Sequence, residues 1–325
     1  MLFGRYLFSC VFQTEALLPE YKGSTFRGVF GHALKKVVCA LRRESCRGCL
    51  LRSRCVYAFV FETLPDDSLT PSVLGAPNKD NTRRRIAAPP HPYVIEPDAG
   101  SQTRYRPGES FDFNLLLFGR ANEYLPYFIY AFDQVGHTGI GKRIEGKRGT
   151  FVLHAVKAGG RTVYDRASGQ ISGESFTENL TLDKRQEDAA DAVRTLKINL
   201  LTPLRLKYDN RLEAAMLFHV LVRAALRRIS SLCEYYDGGE PSLDYRGLVA
   251  RARDVQILNS SLRWFDWQRF SNRQDQAMLM GGMIGHVTYT GALGEFVPLL
   301  SFCEQVHLGK QTSFGLGRTE MIQNP

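Results

Sequence analysis

The order in which apolar residues change their spacing constrains this chain more than any single motif. Residues 2–13, LFGRYLFSCVFQ, alternate as a half-buried strand does. The following segment GSTFRGVFGHALKKVVCALRR switches to helical spacing, with Phe26, Val29, Phe30, Ala33, Leu34, Val37 and Val38 on one face. This predicts a first helix from about 25 to 41, capped by Ser24 or Thr25. Strands are predicted at 57–62, 93–95 and 111–118, a second helix over about 122–135, and a further strand at 150–156. Strand, helix, strand, strand, helix, strand is the ferredoxin-like split βαβ order.

The second half repeats the scheme. A strand at 195–206 leads into a long helix over 211–235 with a further helical piece at 242–252. A strand-rich stretch at 255–270 holds both tryptophans, GGMIGHVTYTG supplies another strand, 293–306 a helix and 318–322 a last strand. Residues 158–195 carry Gly, Ser, Thr and Asp with little periodicity, so the domain boundary is placed near 185. The expected fold is α+β: two tandem ferredoxin-like domains, 1–185 and 186–325. The first contains a cysteine insert at 39–55 and an exposed polar excursion at 63–92 that includes Arg83, Arg84 and Arg85.

The stretch His307-Leu308-Gly309-Lys310-Gln311-Thr312-Ser313-Phe314-Gly315-Leu316-Gly317-Arg318 needs its own account, because glycine permits close backbone approach and positive φ. A Walker A loop requires glycine where Glu304 stands and Ser or Thr where Gln311 stands. The dinucleotide fingerprint fails at Glu320, and the residues after Gly317 would leave no room for a Rossmann helix and strand. What survives is a basic loop suited to a phosphate backbone, through Lys310, Thr312, Ser313, Gly315, Gly317 and Arg318, against the alternative of a plain turn before a last strand.

Charge points the same way. Forty-two Lys and Arg against thirty-three Asp and Glu give +9, which favours a polyanion. The cations are scattered in pairs and triplets and no amphipathic helix gathers them, which favours nucleic acid over a membrane surface. With no run of 18 apolar residues and no signal-peptide pattern at the start, a cytoplasmic protein is expected. Four of the seven cysteines, Cys39, Cys46, Cys49 and Cys55, have the spacing C-x6-C-x2-C-x5-C. In a reducing compartment this suggests a structural zinc site, with an iron–sulfur cluster or simply packed thiols as alternatives. Cys10, Cys233 and Cys303 sit in apolar contexts and read as buried small hydrophobes.

Several stretches together resemble one family, the CRISPR-associated precursor-RNA processing endoribonucleases of the RAMP superfamily. GSTFRGVFGHAL resembles its first-helix segment, SCRGCLLRSRCVYAFVFE the cysteine-bearing insert of one branch, and GHTGIGKRIEGKRGTF the glycine-rich turn closing the first domain. WFDWQRFSNRQ with GGMIGHVTYTG, and HLGKQTSFGLGR, resemble the second domain's hairpin and terminal loop. The resemblance implies metal-independent cleavage of CRISPR repeat RNA by attack of a ribose 2′-hydroxyl, leaving a 2′,3′-cyclic phosphate and a 5′-hydroxyl. It implies retention of the product and other Cas proteins as partners. The alternative within the same superfamily is a non-catalytic subunit that holds guide RNA in an effector complex.

His32 matches the family's first-helix histidine and is the expected acid or base. Lys35 or Lys36 would offset charge at phosphorus, and Tyr21 would orient the 2′-hydroxyl. His307 and His286 are the rival histidines. Arg27, Lys142, Arg143, Arg269 and Arg273 are expected phosphate contacts. Trp264, Phe265, Trp267 and Phe270 are read chiefly as packing residues.

Overall fold

The computed structural model describes residues 1–324 except 43, 64–88, 99, 101, 183–192, 207–215 and 272–275. The expected boundary near 185, most of the polar excursion with its arginine triplet, and Arg273 lie outside the described residues. In chain order the first half contains β1 (Leu2–Phe12), β2 (Ala16–Leu17), α1 (Gly23–Val38), β3 (Tyr93–Pro97), β4 (Arg104–Tyr105), β5 (Ser110–Phe118), α2 (Leu125–Thr138), β6 (Ile140–Ile144), β7 (Lys147–Gly149), β8 (Phe151–Ala158), β9 (Arg161–Asp165), β10 (Gln170–Ile171) and β11 (Glu178–Asn179). The second half contains β12 (Thr195–Leu204), α3 (Phe218–Tyr236), α4 (Tyr245–Arg251), β13 (Gln256–Ser260), β14 (Arg263–Ser271), β15 (Gln276–Thr290), α5 (Val297–Val306) and β16 (Thr319–Asn324).

Each half builds an antiparallel sheet of the same topology. The central order is β8-β1-β5-β3 in the first and β16-β12-β15-β13 in the second, with β14 extending along β15. Numbered within each half, both read 4-1-3-2, which follows from a βαββαβ chain closing its two crossovers on one sheet. A smaller sheet, β4-β2-β6-β7, sits beside the first.

Strand alternation decides the layers. Tyr6, Phe8, Cys10 and Phe12 of β1 and Phe111, Phe113, Leu115 and Leu117 of β5 form one core with Phe26, Phe30 and Leu34 of α1 and Phe128 and Phe132 of α2. Phe30 is central here, stacking on Phe128 and Phe132 and meeting Tyr93 edge-on. The opposite face of the same sheet supplies Phe3, Val94, Leu116 and Phe118 to a second core, built with α3, α5 and the inner face of the second sheet. Helices α3 and α5 are therefore packed between two sheets, and they cover only one end of the first.

Three local expectations are corrected. Residues 57–62 are not a strand: Ala58–Glu62 form a π-helical turn. Phe61 lies over α1 at Gly31, where even a Cβ would meet its ring at 2.3 Å, so tertiary packing overrides strand propensity. The N-cap of α1 is Lys22 with no side-chain cap, placing Ser24 and Thr25 inside the first turn. The helix ends at Val38, where Cys39 turns to extended geometry. Among the described residues no helix is long and apolar enough to cross a membrane.

Phe30→Ala is expected to lower the unfolding free energy by about 3–5 kcal/mol in a urea titration followed by circular dichroism. Leu50→Ala, at a site 86% exposed, should stay within about 0.5 kcal/mol of the parent.

Candidate nucleic-acid interface and active site

Helix α1 divides its residues between two jobs. Gly28, His32 and Lys36, four apart, are exposed and so share one outward face, whereas Phe26, Phe30 and Leu34 are buried on the other. Among the described residues His32 has no hydrogen-bond partner, so its ring is available to a ligand. Lys35 leans away, with its ammonium 5.4 Å from the centre of the Tyr57 ring. Lys36 is the cation that shares the His32 face.

The entry of α1 is occupied with holding the glycine-rich loop. The Tyr21 hydroxyl donates to the Phe314 carbonyl at 2.6 Å, and burial pushes that phenol well above its ordinary range. Arg27 lies between the rings of Phe61 and Phe314, at 4.4 and 4.7 Å. It donates through Nε to the Ser313 hydroxyl at 3.1 Å and through Nη2 to His91 Nε2 at 2.9 Å. Gly23 is the point of closest approach, since a Cβ there would sit 1.8 Å from the Phe314 carbonyl oxygen. Neither Tyr21 nor Arg27 projects free as the sequence suggested; each ties the first helix to the loop.

The loop itself is mostly interior. Thr312, Ser313, Gly315 and Gly317 are buried, which corrects the expectation that they lie along an RNA backbone. Gly315 abuts the Ile95 carbonyl and adopts φ +83°, and Gly317 donates its N–H to Pro203. The Thr202 hydroxyl donates to the Gly315 carbonyl and accepts from the Arg318 N–H. Only Lys310 is exposed, with Gln311 and Arg318 half-buried.

His307, at the head of the loop, is fully buried. Its Nδ1 lies 3.0 Å from the Leu316 carbonyl, so that nitrogen donates; its Nε2 lies 2.7 Å from Glu96 Oε1. Burial pushes the Glu96 carboxyl up, but the His307 hydrogen bond and charge, Arg5 and Arg318 together outweigh it and leave it below its ordinary value. Both ring nitrogens of His307 face acceptors. His307 is thus engaged on both sides inside the protein, a poor position for proton transfer to a substrate. His286, on β15, takes a 2.9 Å contact from the Ser261 hydroxyl at Nδ1, on the open face of the second sheet.

The β6–β7 hairpin carries Lys142, Arg143, Lys147 and Arg148, all exposed and, among the described residues, none in an ion pair. It joins the sequence leading into α1 through the Leu17–Lys142 pairing. Arg269 pairs with Met278 in the β14–β15 hairpin. The cysteines Cys39, Cys46, Cys49 and Cys55 are free and half-buried, and among the described residues no group of three or more His, Cys, Asp or Glu is placed to hold a metal. Cys46 and Cys55 pack on the first core, and burial leads the causes that raise the Cys46 thiol. Among the described residues the geometry gives a zinc or iron–sulfur ligand set no support, and the packed-thiol alternative fits Cys46 and Cys55.

Two polar residues went unnoticed in the sequence. Glu96 ends an apolar strand, and Arg228 interrupts the apolar arc of α3 between Ala225 and Leu232; each oddity was a readable signal. Arg228 is buried, donating to the carbonyls of Val306 and His307 at the end of α5, and burial lowers it to about 10. His91, between prolines, reads from the sequence as solvent-exposed; it is half-buried instead, because Arg27 and Phe61 from distant positions pack on it.

Residues 1–176 match the family model AF_1859_N, an N-terminal domain, and residues 198–319 match the model of the CRISPR-associated endoribonuclease Cas6. An uncharacterized protein of Archaeoglobus fulgidus is 25% identical over 306 residues, covering 92% of this chain and 91% of that protein. A product complex of Cas6 (TTHB231) matches with a TM-score of 0.53 at 13% identity, over 98% of this chain and 99% of that one. Thermus thermophilus Cas6 (TTHB231) matches at 0.51 and 12%, over 99% and 98%. A chain of a partial Cas6-RT-Cas1–Cas2 complex matches at 0.57 and 13%, over 99% of this chain and 46% of its own length. At such identities the structural likeness is one of fold, the paired ferredoxin-like architecture.

Burial, followed by the Arg27 charge, lowers His91 to about 4 from 6.5. Between those values the unfolded chain binds the extra proton, so this group makes stability fall as pH drops from about 6.5 to 4, by at most about 3 kcal/mol. Denaturant titrations across that window should show the slope reduced in His91→Gln.

Proposed function

We propose that this chain, whose residues 198–319 match the CRISPR-associated endoribonuclease Cas6 and whose residues 1–176 match the AF_1859_N domain, is an endoribonuclease of the Cas6 kind cutting precursor CRISPR RNA within the repeats. The observation that carries this reading is the exposed imidazole of His32 on the same face of α1 as Lys36. The expected chemistry is attack of a ribose 2′-hydroxyl on the adjacent phosphorus without a metal. The P–O bond to the departing 5′-oxygen breaks, leaving a 2′,3′-cyclic phosphate and a 5′-hydroxyl. His32 moves a proton at the 2′-oxygen or the leaving oxygen, and Lys36 offsets the charge that grows on the non-bridging oxygens.

Tyr21 and Arg27 act one step removed, by fixing the loop whose exposed Lys310 and half-buried Arg318 would meet phosphates. The basic β6–β7 hairpin, beside the entry to α1, suits the backbone of a stem, since an A-form major groove is too narrow for side chains. Lys142 and Arg143 keep their assigned part there, joined by Lys147 and Arg148. We place the enzyme in the cytoplasm, with CRISPR repeat RNA as substrate, the cleaved RNA as a retained product, and other Cas proteins as partners.

The second reading, a non-catalytic guide-RNA subunit, draws support from the interior loop, which serves as a strut and leaves His32 as the single histidine on the α1 face. Labelled repeat RNA incubated with EDTA separates the two. Cutting by the wild type, lowered about 10²–10⁴-fold in His32→Ala with RNA binding retained, is expected for the nuclease. Equal cutting by both proteins removes His32 from the mechanism, and binding without any cutting favours the subunit.

A further inference from the structure

The first sheet has an inner face that, among the described residues, the second half covers only at one end. Along β1 the residues on that face are Phe3, Arg5, Leu7, Ser9 and Val11; along β5 they are Phe118, Leu116, Asn114, Asp112 and Ser110. Phe3, Leu116 and Phe118 enter the core with α3 and α5. Among the described residues the cover stops beyond Glu96, and the remaining end opens as a groove of about 430 Å³ whose wall on the loop side is Arg318. The floor includes Leu7 and Pro97, and the row Ser110, Asp112, Asn114 runs along it at every second residue of β5.

The chemistry of this groove differs from that of the rest of the surface. Phe111 and Phe113 also line the groove, but their rings are buried in the first core, so the sheet does not offer the stacking platform by which four-stranded sheets of this kind commonly hold bases. It presents acceptors instead. Glu96 is already engaged by His307 and Arg5, with Arg318 Nε 4.0 Å away, so its charge is answered within the protein. Asp112 and Asp98 face the groove, and among the described residues neither is in an ion pair. Carboxylates repel phosphate, and the groove does not gather three ligands for a metal. A donor-rich, flat group with an anion attached at one side fits: its edge on Asp112, one face on the floor at Leu7, its phosphate towards Arg318.

We infer that this groove reads one unpaired guanine of the RNA, with Asp112 as the specificity-determining residue. Guanine alone among the four bases carries two adjacent donors on its Watson–Crick edge, N1–H and the N2 amine, which match the two oxygens of one carboxylate. The other three bases place an acceptor beside each donor. Because that edge is used in a duplex, the recognised nucleotide is single-stranded. The inference rests on the RNA-processing reading above and names a substrate feature that reading does not contain.

Fluorescence anisotropy with three labelled seven-nucleotide oligouridines, carrying a central guanosine, inosine or adenosine, tests it. For the wild type the guanosine probe should bind about tenfold more tightly than the inosine probe, which lacks only the N2 amine. Asp112→Asn replaces one acceptor by a donor, and should weaken guanosine while strengthening adenosine, whose N6 and N7 an amide can pair. Asp112→Ala should abolish the preference. Asp112 is exposed, so both variants should keep the parent's circular dichroism and urea midpoint. Equal binding of all three probes, or a guanosine preference unchanged in both variants, overturns the assignment. If no probe binds while repeat RNA still binds, the groove is not a base site. Should repeat RNA fail to bind as well, the RNA-processing reading falls with it.

Discussion

The arrangement of the two halves depends on one buried charge cluster. Glu96, on the edge strand β3 of the first sheet, accepts from His307 at the head of the terminal loop and from Arg5 on β1, two strands across, with Arg318 close by. Such a cluster is costly to bury and becomes tolerable only when every lone pair and proton has a partner. Here the Leu316 carbonyl faces the other ring nitrogen of His307 at 3.0 Å. Removing one partner would leave an uncompensated charge in the interior, typically worth about 3–5 kcal/mol. The cluster therefore sets where the loop runs, and through it where the second half meets the first.

That constraint organises the rest. The loop, once anchored at His307, passes the end of α1 where Tyr21 and Arg27 hold Phe314 and Ser313, and Gly23 leaves room for the contact. Arg228 supports the same point from behind by capping the end of α5 with donors that the helix itself lacks. Three anchors on one loop leave α1 free to turn His32 and Lys36 outwards. An exposed imidazole and a second one locked in the interior thus depend on the same anchors.

Much of the fold was legible in the sequence. The change of apolar spacing in β1, α1, β5 and α2 was enough to give the element order, because each of these elements buries one full face. His32 was legible for the same reason, since it falls on the polar face of a clearly amphipathic helix. The segment at 57–62 was not: its residues have strand propensity, and only the space over Gly31 makes a helical turn the better packing. The glycine-rich loop was misjudged in a related way. Its composition suits contact with phosphate, and it equally suits close passage between backbones, which is the use the tertiary structure makes of Thr312, Ser313, Gly315 and Gly317.

The sequence by itself determined the local structure, the repeated βαββαβ order and the side of α1 on which the candidate catalytic residue stands, because periodicity and burial are properties of neighbours along the chain. Only the tertiary structure decided which polar groups are spent inside. Glu96 and His307 are 211 residues apart, and Arg27 and Ser313 286 apart, so no local pattern could pair them. The same holds for the uncovered groove at Asp112. Its opening is set by how far α3 and α5 reach across a sheet made by the other half of the chain.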